Sequence, residues 1–505
     1  MYIKSISTRQ LIRFVGSPVF FKITVAALVL QAAWIALSGG YPMAFDEEYH
    51  LGVIRLYAEH LSPFWSGIPP NSDAFGAVAR DPSYIYHYLL SFPYRLMTAA
   101  GLDQTAQVIT LRFINIGFFA SGLLVFRRLL LKTAASSAIV NLSLLVFILI
   151  PVSPFLASQI NYDNLIIPLT GLALLLTLRL TKLSNGKELH VLTLLQLIVV
   201  CLMASLVKYA FLPVLAAIAG YLAVFSWTKY RKFTDLKPAF AKGYRRLSRP
   251  VAAGLIALVL MSGGLFVERY GVNLARYHKP VADCAEVLDY DHCKHYGPWI
   301  RDYNLNQNKG DADKSPLLFS REWLYGMWLR SYFTLAGPEV GYQTKSPLMV
   351  PAIGAIVLAC LSVLAMLVTA RKIWRRYNRP ALWLITLAAL IHVVILWLEE
   401  YRLFLHAGKA VAINGRYLLP VLPIVILLSA LAISQIIRNH NRLKLAASIL
   451  IVASLLWGGG ALTYILRSND SWYWPNSPLA PANHVLQDTL GPLTPGYRHP
   501  SQFLR

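Results

Sequence analysis

The chain has 505 residues, 56% of them hydrophobic and 14% charged, with a net charge of +23. Soluble domains hold roughly 45–50% apolar and ~25% charged residues, which excludes a soluble enzyme carrying one anchor. There is no zinc-finger spacing and no soluble basic domain, so nucleic-acid binding is excluded too, and the basic residues are read as charges that set membrane topology.

Apolar runs long enough to cross a hydrocarbon core of ~30 Å recur along the whole chain, about eleven of them. They are expected at 20–39, 107–126, 134–154, 163–180, 190–207, 210–227, 250–267, 348–369, 381–398, 417–436 and 444–465. The first run, from Phe20 to Ser38, exceeds a signal-peptide core of ~7–15 residues and is read as a span. The two runs on either side of Lys208 are joined almost without a loop, so short or partly re-entrant segments are the alternative there.

Loop charge predicts the orientation. The basic clusters at Lys4, Arg9 and Arg13, at Arg127, Arg128 and Lys132, and at Arg179, Lys182 and Lys187 fall in every second connection. So do the runs Lys229 to Arg249, Arg371 to Arg379 and Arg438 to Lys444. All fall on one side if about eleven spans are assumed. The expected fold is an all-α integral membrane protein, a polytopic domain over 1–466 with an external tail over 467–505. The N-terminus is expected to be cytoplasmic and the C-terminus external.

Two large outer segments follow from that topology, 40–106 and 268–346, both rich in Trp, Tyr, Asp and His. In the first, Leu51, Ile54, Ala58 and Leu61 recur at helical spacing, as do Tyr84, His87, Ser91 and Arg95. Both stretches are expected to be helices lying on the membrane surface. In the second, Cys284 and Cys293 share an oxidising compartment, which favours a disulfide. A zinc site using His292 and His295 is the alternative, although its spacing fits no standard pattern. Cys201 and Cys360 lie within spans and read as packing residues.

Ions are costly inside a bilayer, so charged residues at span ends need an explanation. Asp46, Glu47, Glu48 and His50 follow the first span; Arg112 begins the second; Asp163 begins the fourth. Lys208 separates two apolar runs and Arg416 begins the tenth span. The topology puts all of them at one depth on one side. Structural roles are also open. Asp46 and Asp163 could cap helices, and Arg112 and Arg416 could snorkel to the headgroups. Glu47 and His50 have the i, i+3 spacing of a shared metal, without an identifiable third ligand.

Several motifs resemble the GT-C superfamily, polytopic glycosyltransferases that use sugars linked to polyprenyl phosphate. Asp46 and Glu47 in "FDEEYH" match that superfamily's first-loop acidic motif. "DPSYIYHYLL" is similar to its second surface helix, with Asp81 where a histidine is usual. "TLRFINIGF" resembles the start of its second span, at Arg112; "INYDN" its second acidic motif, at Asp163; and "LVKYAFLP" a lysine segment, at Lys208. "NGRYLLPVLP" and "CAEVLDYDHCKHYGPWIR" are closer to an uncharacterised bacterial membrane-protein family grouped with GT-C enzymes. The resemblance covers about 20 to 440. It departs at Asp81 and in lacking a large soluble C-terminal domain.

The resemblance implies a bacterial inner-membrane glycosyltransferase of the inverting class, which transfers a sugar from a polyprenyl-phosphate donor to an envelope glycan, lipid or protein. Asp46, Glu47 and Asp163 are the expected catalytic carboxylates. Lys208, Arg416 and Arg80 are expected at the donor phosphate, with His50, Asp81 and Arg112 supporting the acceptor or the site. A divalent metal is open at Glu47 and His50. The competing class is a transporter or flippase for lipid-linked saccharides, which would show repeated halves and helices interrupted near the midplane. Neither is visible in the sequence.

Overall fold

A computed structural model describes residues 7–44, 46–184, 187–230, 233–309, 315–332, 349–495 and 497. Among these the chain is helical with no named strand, and an isolated bridge pairs Gly39 with Tyr473. Eight helices are long and apolar enough to cross a membrane: Pro18–Ser38, Gln104–Leu131, Asp163–Leu183, Tyr209–Lys229, Arg249–Tyr277, Val350–Arg376, Arg379–Ala407 and Asn441–Arg467. The protein is an α-helical, multi-pass membrane protein. Its peripheral helices turn large apolar side chains outward, such as Leu367 at 75% exposure, as lipid contact requires.

The remaining expected segments are shorter apolar helices, Ser137–Leu149, Val191–Val207 and Leu422–Ile436, of 13, 17 and 15 residues. At ~1.5 Å per residue these reach about 20–26 Å, less than a full hydrocarbon core. Each is cut short where a polar segment needs room. The first stops before Pro151, which cannot extend a helix, and the chain then runs through Val152–Ala157 to Asp163. The second stops at Lys208, whose backbone is extended (φ −156°, ψ 126°) before a 3-10 turn at Tyr209–Phe211. The third begins only after a 3-10 turn at Gly415–Leu418 and Pro420.

The two expected surface helices are Glu47–Glu59 and Ile85–Ala99, packed on each other with Tyr57 edge-on to Tyr88 at 5.8 Å and His50 bonded to His87. The first ends before Leu61, which is exposed. Residues 268–309 fold over these helices. The C-terminal end of Arg249–Phe266 continues as a π-helical turn, Val267–Gly271. Such turns often mark functional regions. Here it aims Glu268 and Arg269 at the 40–106 loop. Arg269 donates to the carbonyls of Ala79 and Pro63 and lies 4.5 Å over the Tyr84 ring. Cys284 and Cys293 are joined by a disulfide with Cα atoms 5.9 Å apart, so they are not metal ligands. The expected segment 268–346 lies partly outside the described residues, at 310–314 and 333–346. The tail beyond 467 returns to the first span: Trp34 donates to Asn483, and Gly40 N–H donates to the carbonyl of Trp472.

Candidate active site

Four side chains from distant parts of the chain form one ionic row. Arg416 donates to Asp46 Oδ2 at 2.5 Å. Its Nε lies 3.9 Å from Asp163 Oδ2. Asp163 Oδ1 accepts from Lys208 Nζ. Asp163, Lys208 and Arg416 are buried, whereas the Asp46 side chain is 51% exposed and forms the open end of the row. A buried charge is tolerated only when paired, and these are paired in series.

Local structure aims each member. Asp46 precedes the helix Glu47–Glu59 but makes no capping hydrogen bond, so capping does not explain it. Its φ of 65° is left-handed, a conformation that Asp adopts more readily than most residues. That backbone turn points the carboxylate at Arg416 rather than at the helix start. Asp163 opens its helix beneath Asn161, whose Oδ1 accepts from the Asp163 N–H at 2.9 Å. Arg416 follows Gly415, where a Cβ would fall 2.0 Å from Ser331 Oγ and 2.7 Å from the Met327 carbonyl. Only glycine lets the turn pass under the helix Pro316–Tyr332. Arg416 therefore does not snorkel; it is held inside the site.

Aromatic rings line the row. Lys208 Nζ lies 4.5 Å from the Tyr162 ring centre and 5.0 Å from that of Tyr417. Ring faces attract cations and help offset the desolvation of Lys208 and Arg416. His392 bonds the Tyr417 carbonyl at 2.9 Å, fixing the turn from the neighbouring helix. Asn115 bonds the Tyr86 hydroxyl and the Asn164 amide at 2.9 and 3.1 Å, tying the surface helix to the 159–164 segment. Tyr162, Tyr417, His392 and Asn115 were not anticipated. For the two tyrosines, adjacency to Asp163 and Arg416 was the available signal; His392 and Asn115 had none.

Glu47 is not beside Asp46 in role. Arg112 grips its carboxylate at both oxygens, at 2.8 and 2.7 Å, and both side chains are fully buried. The backbone N–H groups of Met43 and Ile160 also donate to it. Arg112 spends its remaining donors on the carbonyls of Ala36, Gly39 and Gly40. This corrects two expectations. Arg112 does not reach the headgroups, and Glu47 has no oxygen left for a metal shared with His50. The pair is a staple joining the first span's end, the second span and the approach to Asp163.

His50 instead bonds His87 at 2.9 Å and meets the Tyr162 ring edge-on at 4.5 Å. Burial lowers the pKa of both imidazoles, that of His87 to about 3. Neither is disposed to bind a metal with Glu47, and no group of three metal-ligating side chains occurs among the described residues. Asp81 accepts from the Ser83 N–H at 2.8 Å and from the Tyr49 hydroxyl at 3.3 Å; burial lifts its carboxyl above the usual range. Arg80, expected at the phosphate, is committed elsewhere: it bonds Glu268 at 2.7 Å and Asn273 at 3.0 Å. The cations left in the row are Lys208 and Arg416.

The row can hold an anion beside its two cations while presenting one accessible carboxylate. Comparison with known protein families and with curated proteins finds no match for this chain.

Proposed function

We propose that this protein is a GT-C-type membrane glycosyltransferase that moves a sugar from a polyprenyl-phosphate donor to an envelope acceptor at the outer face of a bacterial inner membrane. Eight long and three short helices would then give eleven crossings, with the N-terminus cytoplasmic. The observation that carries this reading is the ionic row, with exposed Asp46 at one end and two buried cations behind it.

The row supports an inverting displacement. The donor phosphate enters beside Arg416 and Lys208, drawing Arg416 toward itself and releasing Asp46. The acceptor hydroxyl attacks the anomeric carbon, and Asp46 takes its proton as general base. The bond from that carbon to the phosphate oxygen breaks, and polyprenyl phosphate leaves with its negative charge offset by the two cations. Asp163 stays between the cations and holds their spacing. The aromatic walls at Tyr162 and Tyr417 keep water from the donor. Glu47 and Arg112 shape the floor and take no part in proton transfer.

Purified protein should release polyprenyl phosphate from a labelled lipid-linked sugar only when an acceptor is present. Movement of the intact lipid-linked saccharide across a vesicle membrane, with no such release, would assign a transporter instead.

A further inference from the structure

Beyond the ionic row, segment 279–309 carries an aromatic surface that none of the chemistry above uses. Trp299 stacks on Tyr303 with ring centres 5.0 Å apart and planes 20° apart. Tyr290 stands edge-on to both, at 5.8 and 5.4 Å. Tyr290 is 49% exposed, and Trp299 and Tyr303 are half-buried. The disulfide Cys284–Cys293 and the helix Gly297–Gln307 hold these rings in place.

We propose that Tyr290, Trp299 and Tyr303 form a saccharide-binding platform, and that the acceptor of the proposed transferase is therefore a glycan. The second clause rests on the transferase reading; the first does not.

Three observations favour a sugar. Aromatic faces carry negative charge density and accept the polarised C–H face of a pyranose, whose hydroxyls need polar neighbours at the ring edge. Polar side chains surround the platform, and their charges are locally cancelled. Lys294 pairs with Asp291 at 2.7 Å, Arg301 with Asp302 at 2.7 Å, and His292 with Asp289 at 2.6 Å. A near-neutral segment in a chain of net charge +23 suits a neutral ligand rather than a polyanion.

A membrane surface is the other occupant that aromatic rings could serve. Segment 279–309 has no excess of Lys and Arg over Asp and Glu, so it lacks the basic cluster that draws a protein surface to anionic headgroups.

The platform is also continuous with the site. Tyr296 joins the disulfide loop to the Trp299 helix and packs on the Tyr49 ring at 6.2 Å. A Cβ on Gly76 would lie 2.7 Å from the Tyr296 ring, so the ring sits directly on the 40–106 loop. Burial first, then the charges of Asp81 and Asp46, raise the Tyr296 phenol above its usual range. A glycan lying on the platform would lead past Tyr296 toward Asp46.

The test uses full-length protein in nanodiscs on a printed array of bacterial surface glycans. The parent should bind a subset of the glycans. Trp299→Ala and Tyr290→Ala should each weaken that binding roughly three- to tenfold, and Trp299→Phe should restore part of it. Trp227→Ala, an exposed ring near the far end of the helix that begins just after Lys208, should bind as the parent does. Disulfide mapping and an unchanged thermal midpoint identify folded variants, and exposed Tyr290 serves if Trp299→Ala misfolds. No bound glycan, or equal binding by the folded Trp299→Ala and Tyr290→Ala variants, overturns the platform. So does brominated-lipid quenching that disappears with Trp299→Phe, which would put the ring in the headgroups. Glycan binding without polyprenyl phosphate release would remove the transferase and leave the platform. Release without glycan binding would do the reverse.

Discussion

Asp46 and Arg416 are 370 positions apart in the chain and meet at 2.5 Å. Their contact closes the ionic row at its exposed end. In the proposed transferase it would also set the resting state of the site, because the carboxylate would have to leave the guanidinium before accepting a proton.

Asp46→Asn is expected to abolish transfer while leaving the fold intact. Asparagine tolerates the left-handed backbone at this position and can still bond Arg416. It cannot accept the acceptor's proton, which should cost about 10²–10⁴ in turnover. Release of labelled polyprenyl phosphate, at matched thermal midpoint, is the measurement. Parental turnover would remove Asp46 as the base.

Glu47→Gln should behave in the opposite way. It leaves the fully buried Arg112 without its counter-charge, and breaking such a pair costs roughly 3–5 kcal/mol. Arg112→Lys should also destabilise, since an ammonium cannot reproduce the two-point grip. The expected signature is a lowered melting temperature in detergent. Turnover per folded molecule should be affected far less than in Asp46→Asn.

Lys208→Ala and Arg416→Ala should each weaken retention of polyprenyl phosphate by roughly ten- to a hundredfold, the value of one charge-assisted hydrogen bond. Both also strip a counter-charge from buried Asp163, so binding must be normalised to folded protein. Unchanged affinity in both variants would make these residues structural ties only.

Stability should fall on mild acidification through the buried His50–His87 pair. The folded pKa of His87 is about 3, below its ordinary 6.5, because burial disfavours the charged ring. Between those values the unfolded chain binds more protons. The contribution of His87 is therefore complete above pH 6.5 and is lost as pH falls toward 3. Thermal melts across that window should show the slope, and His87→Gln should flatten it. Equal slopes in the two proteins would exclude the pair as its source.

Reporter fusions after Arg128, Lys182, Arg246, Arg376 and Asn439 should read cytoplasmic, and fusions within 279–309 or after Trp472 external. Peptide mapping without reduction should recover the Cys284–Cys293 bridge, which belongs in an oxidising compartment. A cytoplasmic 279–309 segment would reverse the orientation and place the ionic row on the wrong face for a lipid-linked donor.

Hydropathy is a local, additive property, so the helical membrane class, the order of the apolar segments and their approximate limits were legible from the sequence. Charge placement along the same line singled out Asp46, Asp163, Lys208 and Arg416 before any contact was known. Which carboxylate is available was not legible. Asp46 and Glu47 are neighbours of the same chemistry, yet one is exposed beside Arg416 and the other is sealed by Arg112, 65 residues away. Nor could sequence assign Arg80, whose partner Glu268 lies 188 positions further on. Of the three short helices, Ser137–Leu149 and Leu422–Ile436 were expected to run further, over 134–154 and 417–436, because apolar residues continue past their ends, whereas Val191–Val207 fills the run expected at 190–207. Their true limits come from the extended backbone at Lys208, from Pro151 and from the turn at Gly415, which make room for polar side chains. Pairing between distant side chains depends on where folded helices bring them, and buried charges make that choice sharp, since an ion left without its partner there is too costly to keep.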